Sequence, residues 1–417
     1  MNLSAGSAGD RPLLLQKLLT VTSSQPKVRI FAIRHLGVVT HLDSCEIDDW
    51  GIMRLLLVSD VHLDTPFTWA GPEVARDRRR AIRASLEHAV AVADERKVDA
   101  FLVAGDLYEQ ELFAPDTSAF LRTLFGSIGI PVLISPGNHD WYGPQSIYRQ
   151  ETWTPNVHIF TEDRLTPVEL ADGFTLWGAA HRAPANTDGF LDGFAVDRGG
   201  INVALFHGSE QGAFAWQESG KVAHAPFQAE QIPAAGLHHA LVGHFHTPQM
   251  GDWHTYPGNP DPLAFGEVGV RGAVLVAVHA DGSVDRETIP VAASIVHDVP
   301  VDVTGITNST EAGQRVATAI AGLKGTVRAT ITGEIGPDVD MKVGDFRHLG
   351  GHLDAFVPRL GRLTVAYDVE AFKAEATVRG QFTREVLESD LDEDAKRRVL
   401  ITGLRALDGR SGDLEVN

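Results

Sequence analysis

The chain has 417 residues, of which 43% are hydrophobic, and its 36 basic against 55 acidic residues give a formal net charge of −19. This composition fits a globular protein of two or three domains. The acidity gives no overall electrostatic reason to expect nucleic-acid binding, so any such site must be local or be supplied in part by metal ions or a partner. The single cysteine, Cys45, excludes an intrachain disulfide framework and a cysteine-based zinc site. The sequence has no uninterrupted run of 18 apolar residues, so no membrane span is predicted. We therefore expect a cytoplasmic protein without membrane contact.

Residues 1–52 have the weakest structural pattern in the chain. They begin with a segment rich in Ser, Gly and Ala and include one candidate strand at 28–33. Met53 directly precedes a strongly apolar stretch. We hypothesise that residues 1–52 are an N-terminal extension, which is either absent from a natural protein that starts at Met53 or present as a disordered arm.

The first strongly patterned stretch is residues 55–62, LLLVSDVH. Its apolar run predicts a buried strand. Asp60 and His62 are two positions apart, and the two-residue repeat of a strand places both side chains on one side, where they can reach one point beyond the strand. Taken alone, the stretch also allows an Asp that caps the next element beside an incidental surface His.

A helix is predicted next, over residues 73–97. Its apolar face is formed by residues at helical spacing, namely Ile82, Leu86, Ala89, Val90 and Ala93. The arginine run at 78–80 is assigned to the solvated face of this helix rather than to a phosphate contact.

Two more apolar runs, at 100–104 and 131–135, predict strands that are connected by a helix at 116–127. Asp106 follows the first of these strands, and Asn138, His139 and Asp140 follow the second. Helical crossovers between strands build a parallel sheet, whose carboxyl ends gather the polar groups.

Between residues 156 and 290 the pattern changes to short strands separated by turns: VHIF, FTLWGAA, INVALFHG, HALVGHFH and GAVLVAV. We interpret these five strands as a second sheet packed on the first. Two of them end in histidine, at His207 and at His244 with His246.

Residues 295–417 predict a separate, smaller α/β domain. Strands are predicted near 299–303, 327–332 and 363–369, and helices near 311–323, 382–387 and 394–407. This segment offers no candidate metal cluster, and its 15 basic against 20 acidic residues leave it only mildly acidic.

The polar residues at the strand ends share one kind of chemistry. They are Asp60, His62, Asp106, Asn138, His139, His207, His244 and His246. Carboxylate, amide and imidazole ligands without thiolate suit Mn²⁺, Fe²⁺ or Zn²⁺. The set is too large for one ion, whereas two ions about 3.5–4 Å apart need a bridging carboxylate and can activate water for phosphoester hydrolysis.

The motifs SDVH, GDLY, GNHD, FHG and GHFH, in this order, resemble those of the calcineurin-like metallophosphoesterase superfamily. The resemblance implies an α/β fold, a four-layer α-β-β-α sandwich of two stacked mixed sheets, with a small C-terminal α/β capping domain. The implied boundaries are 53–294 for the catalytic domain and 295–417 for the cap.

The resemblance also implies a role for each motif residue. The first metal ion would be held by Asp60, His62 and His246. The second would be held by Asn138, His207 and His244, and Asp106 would bridge both. His139 would stabilise the transition state and protonate the leaving oxygen, while Asp140 would either orient His139 or act as a structural cap.

Within the superfamily, the chain is most similar to the DNA-repair exonuclease branch, the SbcD and Mre11 nucleases. The similarity rests on GDL, on GHFHTP and on residues 256–267, YPGNPDPLAFGE. It implies a Mn²⁺-dependent DNA exonuclease or endonuclease of repair and recombination, which cleaves phosphodiester bonds with a metal-bridging hydroxide. It further implies an SbcC- or Rad50-like coiled-coil ATPase as partner and allows a homodimer.

The chain departs from that branch at Val61, Asp64 and Asn259, and it is acidic, whereas phosphate contacts require Lys or Arg. A cap that binds DNA without a partner must therefore place arginines on one face, for example Arg328, Arg347 and Arg359. Two alternatives stay open, namely a phosphodiesterase or phosphatase for a small nucleotide or other phosphoester, and a catalytically dead scaffold.

Three residues outside the ligand set have two interpretations each. Trp141 and Tyr142 follow GNHD and either stack on a base or pack against the rim of the sheet. His181 follows a strand and is expected to have a surface or packing role rather than to bind metal.

Overall fold

The computed structural model describes residues 51–184, 189–217 and 222–409, so the predictions for residues 1–50, including the strand at 28–33 and Cys45, lie outside these ranges. The described chain forms two six-stranded mixed sheets with helices and a third sheet of three strands. The predicted α/β class is therefore confirmed. Across the described ranges, every helix is too short or too polar to span a bilayer.

The N-terminal half of the first sheet alternates strands and helices. In chain order these are β1 (Ile52–Val58), α1 (Pro72–Glu95), β2 (Ala100–Val103), α2 (Thr117–Gly126), β3 (Val132–Ile134), α3 (Ile147–Gln150) and β4 (Val157–Ile159). The four strands are adjacent and parallel, with Leu55 opposite Ala100 and Phe101 opposite Val132. Their carboxyl ends therefore lie along one edge, as the alternating pattern predicted.

The middle of the chain completes both large sheets. It contains β5 (Thr166–Ala171), β6 (Phe174–Gly178), β7 (Ile201–His207), α4 (Gln211–Gln217), α5 (Gln231–Ala234), β8 (His239–Gly243), β9 (Gln249–Met250), β10 (His254–Tyr256), β11 (Gly272–His279) and β12 (Val284–Pro290). The first sheet has the order β12-β11-β1-β2-β3-β4 and the second β5-β6-β7-β8-β10-β9.

Two strands that we assigned to the second sheet belong to the first. VHIF contains β4, which pairs with β3, and GAVLVAV lies in β11, which runs antiparallel to β1 with Val276 opposite Leu55. The assignment was wrong because strand pairing is non-local, and the apolar pattern of a strand does not reveal which edge it joins.

The inner strands β1, β2 and β3 of the first sheet are buried on both faces, which explains their unbroken apolar runs. Leu56 and Val58 of β1 pack with Ile82 and Leu86 of α1. Leu55 points to the opposite face of the sheet and is also 0% exposed. A strand covered on both sides gains from apolar residues at every position, so the usual alternation is absent.

The two large sheets meet closely at their carboxyl ends, where two glycines leave the necessary space. A Cβ atom at Gly243, after β8, would collide with the Ala104 carbonyl oxygen after β2. A Cβ atom at Gly105 would collide with the His207 ring, and Gly105 also has a φ of +86°, which side chains disfavour. This contact brings the end of β7 to the end of β2.

The C-terminal lobe, residues 296–409, contains the third sheet. Its elements are β13 (Val296–Asp302), α6 (Ser309–Ile320), β14 (Thr326–Ile335), a 3₁₀ helix (Val343–Gly350), β15 (Ala355–Val365), α7 (Val369–Ala374), α8 (Val378–Glu388) and α9 (Glu393–Leu407). The strands are parallel in the order β13-β14-β15. On β14, Val327 and Ala329 face a core shared with α6, whereas Arg328 and Thr330 face the other side.

The assignment of Arg78 to a solvated helix face is wrong. Its side chain is buried, and it donates a hydrogen bond to Oδ1 of Asp261 at 3.1 Å and others to the Pro262 carbonyl oxygen and to Ser294. Arg78 precedes Ile82 by four residues and therefore lies on the buried face of α1. Arg80 is exposed and pairs with Asp77, as expected for the other face.

Candidate metal centre

Asp60 and His62 lie beyond the end of β1, in a loop with unusual backbone geometry. β1 ends at Val58, so strand alternation does not bring these two side chains together. Both residues have φ near +50°, as does Asp106, and His244 has a φ of +113°. Residues other than glycine rarely adopt positive φ angles, and backbone strain of this kind is concentrated at functional sites.

Asp106 lies between two histidines from different sheets. Its Oδ2 atom is 3.6 Å from Nε2 of His62 and 3.3 Å from Nε2 of His207. Its Oδ1 atom accepts a hydrogen bond from the backbone N–H of His139 at 2.8 Å. Asp106 is 2% exposed, so one buried carboxylate joins both halves of the cluster.

Three sets of residues within the described chain bring ligand atoms within 4.8 Å of one another. They are Asp60 with His62 and His246, Asp60 with Asp106 and His207, and His62 with Asp106 and His139. Asp60 and Asp106 each occur in two sets. This overlap is the arrangement that two neighbouring cations need.

The second half of the cluster contains His207, Asn138 and His244. Nδ1 of His207 lies 2.9 Å from the Ala104 carbonyl oxygen, to which it donates, so Nε2 is left as the ligand atom. Asn138 Oδ1 is 3.0 Å from that Nε2 atom. The His244 ring centroid is 5.1 Å from that of His207, and its backbone N–H donates to both Asp60 oxygens at 3.1 Å.

Two carboxylates that the sequence analysis did not identify, Glu109 and Glu267, accept hydrogen bonds from His62, His139 and His246. Glu109 accepts from Nδ1 of His62 at 2.7 Å and from Nδ1 of His139 at 2.9 Å. Glu267 accepts from Nδ1 of His246 at 2.6 Å. Carboxylates in these positions fix the ring orientation and leave each Nε2 atom free to face a metal or a substrate.

Asp140 does not contact the side chain of His139 and instead holds the surrounding backbone. It accepts hydrogen bonds from the backbone N–H groups of Asp106, Leu107 and Gly137 and from the hydroxyl of Tyr148. Of the two alternatives for Asp140, the contacts favour the structural cap. Glu109 takes the place that we had given to Asp140 beside His139.

Trp141, Tyr142 and His181, for which the sequence allowed two roles each, lie near the cluster. His181 is 4% exposed, and its Nε2 atom lies 2.9 Å from the His207 carbonyl oxygen, which agrees with the predicted packing role. Tyr142 is half-buried against the core of the first sheet, and Arg182 lies over its ring at 5.8 Å. Trp141 is half-buried beside Gly143.

The electrostatics of the cluster favour positive charge. Burial acts to lower the pKa of His207, but the adjacent Asp106 carboxylate outweighs it and raises this pKa to about 9. The hydrogen bond to Glu109 raises the pKa of His139 to about 9. Burial acts to raise the pKa of Asp106, yet the surrounding histidines hold it well below its usual range.

The donor set fits divalent cations. Nε2 of His62 is buried and has no hydrogen-bond partner, an arrangement that costs free energy unless the atom serves as a ligand. The neighbouring donors are carboxylate oxygens, an amide oxygen and imidazole nitrogens, which suit Mn²⁺, Fe²⁺ or Zn²⁺.

Comparison with known families agrees with this geometry. Residues 53–248 match the family described as calcineurin-like phosphoesterase, and the match contains every proposed ligand. The domain formed by these residues belongs to that family. It is a metallophosphoesterase domain, of the class of metal-dependent phosphoester hydrolases.

Two curated relatives extend the comparison. The metallophosphoesterase YhaO of Bacillus subtilis, described as uncharacterized, is 27% identical over 288 residues, which cover 65% of this chain and 68% of YhaO. The DNA double-strand break repair protein Mre11 of Aeropyrum pernix is 29% identical over 259 residues, covering 53% of this chain and 57% of Mre11. The chain thus matches little more than half the length of the archaeal relative.

Among solved structures, a dimetal phosphatase from Danio rerio is 12% identical to the chain. The alignment covers 57% of this chain and 98% of the phosphatase, with a TM-score of 0.32.

Proposed function

We propose that the chain is a phosphodiesterase that works with two divalent cations, with Mn²⁺ as the expected metal, and that its substrate is DNA. The observation that carries the proposal is the position of Asp106 between His62 and His207. One buried carboxylate within reach of two imidazoles is the bridge that a dinuclear site requires.

The residues that would hold the cations follow from the clusters. Asp60, His62 and His246 would hold the first ion. Asn138, His207 and His244 would hold the second, with Asp106 shared. Cations in these positions would supply a Lewis acid for a phosphoryl oxygen and activate water near neutral pH.

His139 is the exposed histidine of the cluster. Its side chain is 45% exposed, whereas those of His62 and His207 are buried, so it can meet a substrate that approaches from solvent. With Nδ1 engaged by Glu109, the proton of Nε2 is the one available to a leaving oxygen. Glu109 keeps the ring in that orientation.

DNA is proposed as substrate because of the similarity to Mre11 and the residues of the 256–267 stretch. In that stretch, Glu267 accepts a hydrogen bond from the His246 ring, and the Asn259 side chain donates to the other oxygen of Glu267. We extend the proposal to the division into a catalytic domain, 53–294, and a cap, 295–417. A coiled-coil ATPase partner, a homodimer and a cytoplasmic location belong to the same proposal.

A small phosphoester is the second candidate substrate, and the charge of the chain favours it. Arg328 pairs with Asp298 and lies over Phe265, so its charge is already engaged. Arg359 shares the face of the third sheet with Arg328, but Arg347 lies in the 3₁₀ helix that packs on the opposite face. A cap that binds DNA without a partner would need such arginines on one face, and Arg328 is already paired with Asp298.

One set of assays separates these substrates. Purified protein with Mn²⁺ is given linear duplex DNA, a bis-aryl phosphodiester and cyclic nucleotides, beside the variants Asp60→Asn and His139→Ala. We expect hydrolysis of DNA and of the diester by the wild type, with a loss of at least about 100-fold in Asp60→Asn. Hydrolysis of small esters alone, also after addition of a coiled-coil ATPase, would reject DNA as substrate. Full activity of Asp60→Asn would reject the metal assignment.

A further inference from the structure

A continuous set of contacts connects His246 to the C-terminal lobe. It begins at Glu267, whose Oε1 atom accepts from Nδ1 of His246 at 2.6 Å. Its Oε2 atom accepts from the Asn259 side chain and the Leu263 backbone N–H, both at 2.6 Å. The carboxylate that orients His246 is thus itself held by the loop at residues 259–267.

The tip of that loop is held by Phe265. The Phe265 side chain is 5% exposed, although its neighbours Ala264 and Gly266 are exposed. Its ring packs against Trp69, which follows β1, with 4.7 Å between the ring centroids. The first part of the loop is held by Asp261, which pairs with Arg78 of α1. Phe265 holds the tip of the loop, two residues before Glu267.

Arg328 of β14 covers the same ring. Its guanidinium carbon is 4.9 Å from the centroid of Phe265, at the distance of a cation–π contact. The guanidinium is held in place by a two-point pair with Asp298, the residue opposite it on β13. The C-terminal lobe therefore presents a fixed cation to the ring that anchors the loop of Glu267.

We propose that Arg328 is a positioning residue for the metal ligand His246, so that the C-terminal lobe sets the affinity of the first cation site. Arg328 fixes Phe265, Phe265 fixes the tip of the loop, and Glu267 beside that tip fixes the His246 ring. This inference rests on the metal centre of the proposed function. It adds a role for the C-terminal lobe that is independent of any substrate.

The inference predicts an effect on one cation and not on the other. The second site is built from His207 at the end of β7, His244 after β8 and Asn138 after β3. The His207 ring contacts the Ala104 carbonyl oxygen and Asn138, neither of which belongs to the 259–267 loop or to the C-terminal lobe. Loss of the guanidinium should therefore weaken Mn²⁺ binding at the first site about 10-fold, the range seen when partners of a metal ligand are removed. The second site should keep its affinity.

Mn²⁺ titration by calorimetry and by EPR tests this in the full chain. Arg328→Ala and Phe265→Leu should both show one weakened site, whereas Arg328→Lys should restore most of the affinity because lysine also forms cation–π contacts. Arg362→Ala is the matched control, since Arg362 lies exposed on β15 and makes no ion pair in the described chain.

A double-mutant cycle shows whether the effect passes through His246. In the His246→Ala background, Arg328→Ala should cause no further loss of Mn²⁺ affinity, and in the wild type it should shift the ¹⁵N resonance of His246 Nδ1. If Arg328→Ala bound Mn²⁺ at both sites as tightly as the wild type, the inference would be overturned. An equal loss of affinity at both sites would also overturn it. A wild type that binds no Mn²⁺ would instead overturn the proposed function, and the inference with it.

Discussion

Nδ1 of His139 lies 2.9 Å from the carboxylate of Glu109, which is three residues beyond Asp106. The other oxygen of the same carboxylate holds His62. One acidic side chain therefore orients both a proposed metal ligand and the proposed acid. Because a carboxylate that only accepts hydrogen bonds fixes which nitrogen of each ring carries the proton, Glu109 matters for both functions.

Replacing Glu109 by Gln tests this relationship. The amide keeps the size of the side chain but has one acceptor oxygen instead of two, so one of the two histidines loses its orientation. We expect kcat on a bis-aryl phosphodiester to fall about 10–100-fold, with an unchanged circular dichroism spectrum. Glu111→Gln, two residues later and exposed, is the control. Equal kcat values for the two variants would contradict the role of Glu109.

The buried pair of Arg78 and Asp261 leads to a prediction on stability. Asp261 also accepts from Ser85 and from the backbone N–H of Ala293 and Ser294, so it joins α1 to the segment before the C-terminal lobe. Arg78→Met should lower the free energy of unfolding by about 3–5 kcal/mol, because it leaves a buried carboxylate without its cation.

Urea unfolding at neutral pH measures the effect of Arg78→Met. Arg80→Met is a matched control, since Arg80 is exposed on the same helix and its pair with Asp77 contributes at most about 1 kcal/mol. If both variants were equally stable, the pair would not stabilise the fold.

The sequence predicted the features that depend on local pattern. The apolar runs of β1, β2 and β3 and the polar residues after them could be recognised without a structure, because parallel strands gather their carboxyl ends at one edge. Long-range pairing could not be predicted. The helical spacing of α1 places Arg78 on the buried face, but its partner there, Asp261, lies 183 residues later in the chain. Glu109 likewise gains its role only when His62 and His139 come together.

The backbone conformation of the site could not be predicted from the sequence pattern either. Strand alternation predicted that Asp60 and His62 converge, but the strand stops before them, and both have positive φ angles. Asp60 is also contacted from the other large sheet, since the backbone N–H of His244, after β8, donates to both of its carboxylate oxygens. The residues of the cluster could be predicted, whereas the means of bringing them together could not.

Tyr148 provides a prediction that separates stability from activity. It is 4% exposed, and its hydroxyl donates to Asp140 at 2.5 Å. Tyr148→Phe removes this donor and should cost about 1–3 kcal/mol of unfolding free energy, while kcat stays near the wild-type value because three backbone donors still hold Asp140. Tyr142→Phe, at a half-buried tyrosine, is the control for both measurements. A loss of kcat with unchanged stability would contradict the structural role of Asp140.

His239, at the start of β8, predicts how stability depends on pH. It is 1% exposed, with Nε2 at 2.8 Å from Oγ1 of Thr255. Burial, followed by the charges of Arg286 and His254, lowers its pKa to about 3. In the unfolded chain the pKa is about 6.5, so between pH 6.5 and 3 only the unfolded chain binds this proton. The protein therefore loses stability as the pH falls through this window, and the contribution of His239 is constant above it.

The variant His239→Gln keeps a polar group for Thr255 but does not titrate. Between pH 6 and 4, its free energy of unfolding should fall less steeply than that of the wild type, by up to about 1.4 kcal/mol per pH unit. Urea unfolding curves at pH 7, 6, 5 and 4 give both slopes. His88→Gln, at an exposed position of α1, should keep the wild-type slope. If His239→Gln also kept the wild-type slope, His239 would bind its proton equally well in the folded and unfolded chain. Its pKa would then not be lowered by folding.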